Sequence, residues 1–269
     1  MNGGISVESD NRVSLEYLKG GVAQIKLDNP PLNLTTVGIM RQLERMVIQV
    51  ADDSAVRAVI ITGAGDRAFC VGSDIKEFPE IRDNFVEKKL RRENAVFSRI
   101  EAMPKPVIAA INAAALGGGC EFALACDFRV MDENAKIGQP EINLGTFPGS
   151  GGVFRLPRLI GASRAMEMLC LGTVLTAKEA LEIGLVTKIA PAGKSAEAAY
   201  ELAYILSQKA AFAISCIKEA VHEAPLQTSA EGVEYSLRLS EAIFKTPDSV
   251  EGVNAFLAKR KPKFTGAPE

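Results

Sequence analysis

Two glutamates offer this sequence its clearest chemistry. Glu121 closes the segment GGGCE (117–121), and Glu141 lies within GQPEINLGTFPGSGG (138–152). Each sits beside a glycine-rich turn in an otherwise apolar stretch, where a carboxylate is costly unless it is paired or put to use. Framed by backbone amides that glycine leaves accessible, the two can form an acid/base pair beside an anion-binding pocket. Either one alone reads first as a structural carboxylate that caps a helix or pairs with a buried arginine.

The amides that would complete such a site come from two glycine-rich places. Gly72-Ser73-Asp74 lets the Ser73 N–H point into a cavity at the start of a helix. Gly117-Gly118-Gly119 does the same for Gly118 at the start of a helix expected over 119–126. Two N–H groups converging from helix N-termini form an oxyanion hole for a carbonyl oxygen that gains charge. The same glycines are equally compatible with nothing more than close packing. Glu121 lies three residues past Gly118, about one helical turn on, and so faces the same cavity. Gly149 in the GSGG run offers a further amide, able to hold a water between the carboxylates.

Competing constellations are weak. The single histidine, His222, falls in the charged helical segment KEAVHEA, far in sequence from both glutamates, which leaves no convincing Ser-His or Cys-His dyad. The usual imidazole ligands of zinc are missing, so no metal is expected. Five cysteines form no CxxC pair, which fits buried thiols in a reducing compartment. Cys120 alone lies next to the candidate site. GAGDRA (63–68) matches a GxGxxA dinucleotide fingerprint, but the chain continues as Phe69-Cys70-Val71-Gly72, which reads as a loop rather than a helix start.

The elements that must position these groups follow from periodicity. Residues 13–19 and 22–28 alternate around Gly20-Gly21 and predict a hairpin. Residues 35–50 carry apolar side chains at helical spacing, with Thr35 or Thr36 as cap. Buried strands are expected at 56–62, 106–114 and 128–131, and a long charged helix at 83–103. Strands and helices alternate to about residue 190, an α/β pattern. Beyond it, 196–224, 229–244 and 249–261 predict three helices, punctuated by Pro225 and Pro247. Residues 1–195 are thus read as the core and 196–269 as a helical region whose apolar faces must dock on the core or on another subunit.

Composition adds bounds. At 269 residues, with 47% hydrophobic and 24% charged residues, the chain suits one large domain, or a core and an appendage. A net charge of −2 argues against a broad polyanion-binding surface. The longest apolar run, 106–116, contains Asn112 and is too short to span a bilayer. The N-terminal segment MNGGISVESDNR has neither the basic nor the apolar region of a secretory leader, so a cytoplasmic protein without membrane partners is expected.

Several long segments carry a family resemblance: AVIITGAGDRAFCVGSDIKEF (58–78), KPVIAAINAAALGGGCEFALACDFRV (105–130), AKIGQPEINLGTFPGSGGVFRLPRLIG (135–161), TAKEALEIGLVTKI (176–189) and EGVNAFLAKRKPKF (251–264). In these the chain resembles the crotonase (enoyl-CoA hydratase/isomerase) superfamily over nearly its whole length. The resemblance implies ββα turns wound into a right-handed spiral and a C-terminal helical region that assembles homotrimers, commonly stacked as hexamers. It implies an acyl-CoA substrate, coenzyme A being part of that substrate, with no separate cofactor. It places Ser73 and Gly118 as the oxyanion-hole amides, Glu121 as the activator of water and Glu141 as the proton donor to Cα. Gly149 becomes the amide that positions water.

Ala68, Asp74 and Ile75 fall along the implied CoA path, with Phe256 lining the channel and Lys259 reaching the CoA phosphates. A solvated basic tail is an equal reading of Lys259-Arg260-Lys261. Retention of both glutamates favours hydration of an α,β-unsaturated acyl-CoA, with Δ3,Δ2-isomerisation as the rival. The chain also resembles the methylthioacryloyl-CoA hydratase branch, without a motif that separates it from short-chain hydratases. Ser73 stands where alanine is common, and 29–34 (NPPLNL) departs from the usual pattern near the CoA path. Phe147 and Phe154 can narrow the acyl pocket or belong to the core. A non-catalytic RNA-binding role would need a comb of basic residues. Arg41 and Arg45 flank Glu44, and Lys88-Lys89-Leu90-Arg91-Arg92 lies between Glu87 and Glu93.

Overall fold

The computed structural model describes residues 12–265, so residues 1–11, read above for a leader, lie outside the described residues. The expected hairpin forms, with β1 (Val13–Leu18) antiparallel to β2 (Val22–Leu27). Next comes α1 (Val37–Asp52), whose N-cap Thr36 accepts the Ile39 N–H, and whose apolar stripe Ile39, Met40, Leu43, Val47 and Val50 is buried.

From there each strand pair divides itself between two sheets. β3 (Ala58–Gly63), β5 (Val107–Ile111) and β7 (Phe128–Asp132) join a six-stranded sheet of order β1-β2-β3-β5-β7-β10, parallel from β2 onward. Their short followers β4 (Ala68–Cys70), β6 (Ala114–Leu116) and β8 (Lys136–Gly138) form a second sheet with β9 (Val174–Thr176). Helices follow each pair: α2 (Phe78–Ile81) and α3 (Arg91–Ala102), then α4 (Gly118–Leu124), then α5 (Gly152–Ile160) and α6 (Ala162–Leu171). These are the repeated ββα turns. α7 (Ala177–Glu182) leads to the edge strand β10 (Lys188–Ala190).

Alternate residues of the large sheet serve two cores. Ala58, Ile60, Ile108 and Ala110 face α8 (Ser195–Ser207), where Ala198, Ala199 and Ala203 let helix and sheet approach closely. Val59, Ile61, Val107, Ala109 and Ile111 face the main core with α1 and α3. The remaining helices are α9 (Ala211–Glu223), α10 (Ser229–Phe244) and α11 (Pro247–Leu257).

Three expectations need correction. The single strand at 106–114 is two strands in different sheets. Asn112 sits at the break, accepting the Gly63 N–H at 3.2 Å and donating to the Gly65 carbonyl at 2.9 Å, so its side chain replaces ladder bonds. The single helix at 196–224 is α8 and α9. Arg57 holds the Lys209 carbonyl at 2.8 Å, and Ala210 is extended as the N-cap of α9. The helix at 83–103 begins as a 3-10 turn (Arg82–Asn84) and a π turn (Val86–Leu90) before it becomes α3. GAGDRA forms the connection from β3 to β4 and opens no helix, as its sequence suggested.

Candidate active site

The site gathers where β4, β6 and β8 end, one contribution from each ββα turn. After β4, Gly72 adopts a φ of 90°, and a Cβ there would lie 3.0 Å from the Gly118 N. That close approach brings the two candidate amides together: a Cβ built on Gly118 would lie 3.9 Å from Ser73 N and 3.9 Å from Glu121 Oε2. Ser73 is held by a bridge to Thr35, whose N–H donates to the Gly72 carbonyl and whose carbonyl accepts the Asp74 N–H, both at 2.9 Å.

After β6, Gly117 caps α4 at φ 55° and ψ −127°, a conformation glycine alone adopts easily. It also leaves room for Glu141, whose Oε1 would stand 3.3 Å from a Cβ at that position. Gly118 therefore opens α4 with its amide at the positive end of the helix dipole. Ser73 differs from its expectation, since only a 3-10 turn (Ile75–Glu77) and the four-residue α2 follow it. The dipole contribution falls to α4.

Glu121 is 3% exposed. Its Oε1 accepts the Ser150 N–H at 2.7 Å and the Gly152 N–H at 2.8 Å. These two are the amides that the GSGG run turns on the carboxyl, and the Gly149 carbonyl accepts from the Asn94 side chain at 2.9 Å. Glu141 lies in a 3-10 turn (Pro140–Leu144), and neither of its buried carboxyl oxygens has a hydrogen-bond partner. Burial pushes Glu141 up to about 7. Burial also pushes Glu121 up; the Gly152 and Ser150 amides oppose the rise, and repulsion from Glu141 and Glu93 adds to it.

Carboxyls placed together ionise one after the other, so the pair retains a single proton through the neutral range. Hydrogen bonding decides where it sits. Two N–H donors on one oxygen favour Glu121 as the carboxylate, and the unpartnered Glu141 as the acid.

The other expected site residues divide. Ala68 is fully buried in β4, its carbonyl taking the Asn33 side-chain N–H at 2.7 Å. Asp74 caps the 3-10 turn through the Lys76 N–H, and Ile75 is exposed beside it. Phe256 and Lys259 are exposed near the end of α11. The segment after them reaches Arg57, at the start of β3, which donates to the Thr265 carbonyl at 3.5 Å. Phe147 is exposed with Ile142 and Leu144 on the apolar rim formed by 142–147, whereas Phe154 lies beneath the guanidinium groups of Arg155 and Arg158.

Burial pushes the Cys120 thiol far up, which removes it as a nucleophile at neutral pH. The basic run is engaged elsewhere: Lys89 is buried, Arg91 pairs with Glu87, and Arg92 with Glu44. The sequence offers the GSGG run as a source of free amides without singling out Ser150 or Gly152, and presents Glu93 only as a flank of the basic run. A serine within a GxGG turn was the one available signal for Ser150, and Glu93 gave none.

Comparison with known proteins agrees with this geometry. The family described as enoyl-CoA hydratase/isomerase matches residues 18–267. The chain is similar to a probable enoyl-CoA hydratase of Bacillus subtilis, 38% identical over 91% of this chain and 95% of that protein. It is similar also to the short-chain-enoyl-CoA hydratase of Clostridium acetobutylicum, 36% identical over 93% and 96%. The crystal structure of an enoyl-CoA hydratase from Bacillus anthracis superposes with a TM-score of 0.92 at 36% identity, covering 95% of this chain and all of that one. The chain therefore belongs to the enoyl-CoA hydratase/isomerase family of the crotonase superfamily.

Proposed function

We propose that the protein adds water across the α,β double bond of a short-chain or substituted enoyl-CoA. It is a hydro-lyase of the enoyl-CoA hydratase type, and the open matter is its acyl group. The reading is carried by the contrast between the two carboxyls: Glu121 takes two backbone N–H donors, and Glu141 takes none. Glu121 removes a proton from water as the oxygen bonds to Cβ. The electron pair of the double bond moves toward the thioester oxygen, which the Ser73 and Gly118 N–H groups stabilise. Glu141 delivers its proton to Cα, and the proton gained by Glu121 restores the pair after product leaves. Gly149 N–H is assigned to hold the water. Every proton transfer falls to these residues, and no separate cofactor is called upon.

The rim formed by Ile142, Leu144 and Phe147 suits an apolar acyl chain. No helix among the described residues is long and apolar enough to cross a membrane, and the protein is assigned to the cytoplasm. α9 to α11 leave Ile217, Leu237, Phe244 and Leu257 exposed, which supports assembly into a homotrimer or hexamer. In that assembly Phe256 and Lys259 would serve the CoA of a neighbouring chain.

Crotonyl-CoA and 3-methylthioacryloyl-CoA, followed by loss of the conjugated thioester and release of free thiol, test the reading. Consumption of either without double-bond migration supports hydration. Thiol release would add thioester hydrolysis, and failure to consume either would sink the proposal.

A further inference from the structure

The hydration chemistry leaves one buried ion pair unused. Lys89 and Glu93 stand 3.4 Å apart with side chains 0% and 3% exposed. Two charges held this deep pay a desolvation cost that their attraction only partly offsets, so stability alone is a poor reason for them. They sit where the π turn Val86–Leu90 runs into α3, and such turns are rare and gather at functional sites. Leu90 meanwhile packs on Gly149, where an added Cβ would lie 2.9 Å from Leu90 Cδ1.

The contacts at either end are specific. The Lys89 ammonium donates to the Thr35 carbonyl at 3.1 Å and lies 3.6 Å from Glu77 Oε2. Thr35 is the residue bridged to Ser73. At the other end, Glu93 Oε2 accepts the Ser150 hydroxyl at 2.6 Å, while the N–H of the same serine donates to Glu121 at 2.7 Å. We propose that Lys89 and Glu93 are positioning residues: the chain Thr35–Lys89–Glu93–Ser150 fixes the oxyanion amide of Ser73 relative to the water-activating carboxylate of Glu121.

This inference rests on the hydratase reading for its kinetic consequence. Water addition needs the amide and the base in register at the same moment, and misplacement by about 1 Å can cost on the order of a hundredfold in rate. Glu93 also places a negative charge near Glu121, raising its affinity for a proton. The groups facing Glu121 and Glu93 are Glu141 from the 3-10 turn at 140–144, Lys89 from the π turn, Glu77 beyond it, and Arg155 of α5, which donates to the Ser150 carbonyl at 3.1 Å. The Cys70 and Cys120 thiols nearby stay neutral, pushed up by burial.

The test uses Glu93→Gln, which keeps an acceptor for Ser150 and loses the charge, and Ser150→Ala, which keeps the backbone N–H and loses the tie. The Glu121 carboxyl is followed by 13C NMR of labelled glutamate, assigned with Glu121→Gln, alongside the pH profile of crotonyl-CoA hydration. Glu93→Gln is expected to move the Glu121 titration and the acid limb of the profile down by roughly one pH unit. Ser150→Ala is expected to lower kcat on the order of tenfold or more with little change in KM. A lowered Tm with the titration and profile unmoved in both variants would make the pair merely structural and overturn the proposal. A wild-type protein that hydrates nothing would defeat the functional reading, while the NMR titration would still decide this one.

Discussion

The backbone N–H of Gly152 reaches Glu121 Oε1 at 2.8 Å, joining the first residue of α5 to the first turn of α4. Two helix N-termini thereby converge on one carboxylate, an arrangement that favours its charge. Glu121→Gln preserves the acceptor and removes the base, and Glu141→Gln removes the acid. Each is expected to lower kcat for crotonyl-CoA by about 10²–10⁴ while circular dichroism remains native. Intact turnover in either variant would refute the assigned roles.

Titration of the shared proton should shape activity. kcat/KM is expected to be bell-shaped, falling on the acid side when both carboxyls are protonated and on the alkaline side when both are ionised. Glu141→Gln should remove the alkaline limb, since the acid it reports is gone.

Stability should respond with a definite sign. Burial raises Glu141, the carboxyl that holds the shared proton, in the folded state, so its contribution is fully present below the unfolded pKa and is lost as pH rises through the folded value of about 7. Glu141→Gln is therefore expected to raise Tm relative to the parent at about pH 9 and to leave it nearly unchanged at about pH 5. Scanning calorimetry at the two conditions checks it, and a larger gain at the lower pH would contradict the assignment.

The oxyanion hole should tolerate side-chain change and resist backbone change. Ser73→Ala leaves the N–H in place and is expected to leave kcat unaltered. Gly72→Ala forces a Cβ toward Gly118 N at a φ of 90° and should displace the Ser73 amide, lowering kcat by about 10²-fold. Equal kinetics for the two variants would remove Ser73 from the hole.

Arg129 is buried and holds the far end of α4, donating to the Cys126 carbonyl at 2.7 Å, Ala123 at 3.3 Å and Leu185 at 2.7 Å. Arg129→Met strands these acceptors and is expected to cost about 3 kcal/mol in urea unfolding. A loss below about 1 kcal/mol would show that water replaces the guanidinium.

Much of this was legible from the chain. The alternation around Gly20-Gly21 and the apolar stripe of α1 were written in local periodicity, and the glycines at 72 and 117 pointed to the amides that matter. The break at Asn112 was not legible, because the side chain that makes it bonds to residues 47 and 49 positions away. The end of α8 likewise depends on Arg57, 152 residues before the carbonyl it holds. Lys89 and Glu93 sit four apart, a spacing that in sequence reads as a solvated helix face; only the π turn and tertiary packing turn them inward. The GSGG run was legible as a source of free amides, but turn conformation decides that those of Ser150 and Gly152 face Glu121.

The division of each strand pair between two sheets has a consequence for how activity arises. Ser73, Gly118 with Glu121, and Glu141 belong to three successive turns, and no single turn holds more than part of the chemistry. A fragment ending before β8 would lack the acid whatever local elements it formed. Regain of turnover after dilution from denaturant thus reports the arrival of the third turn, and should lag any signal that helices alone provide.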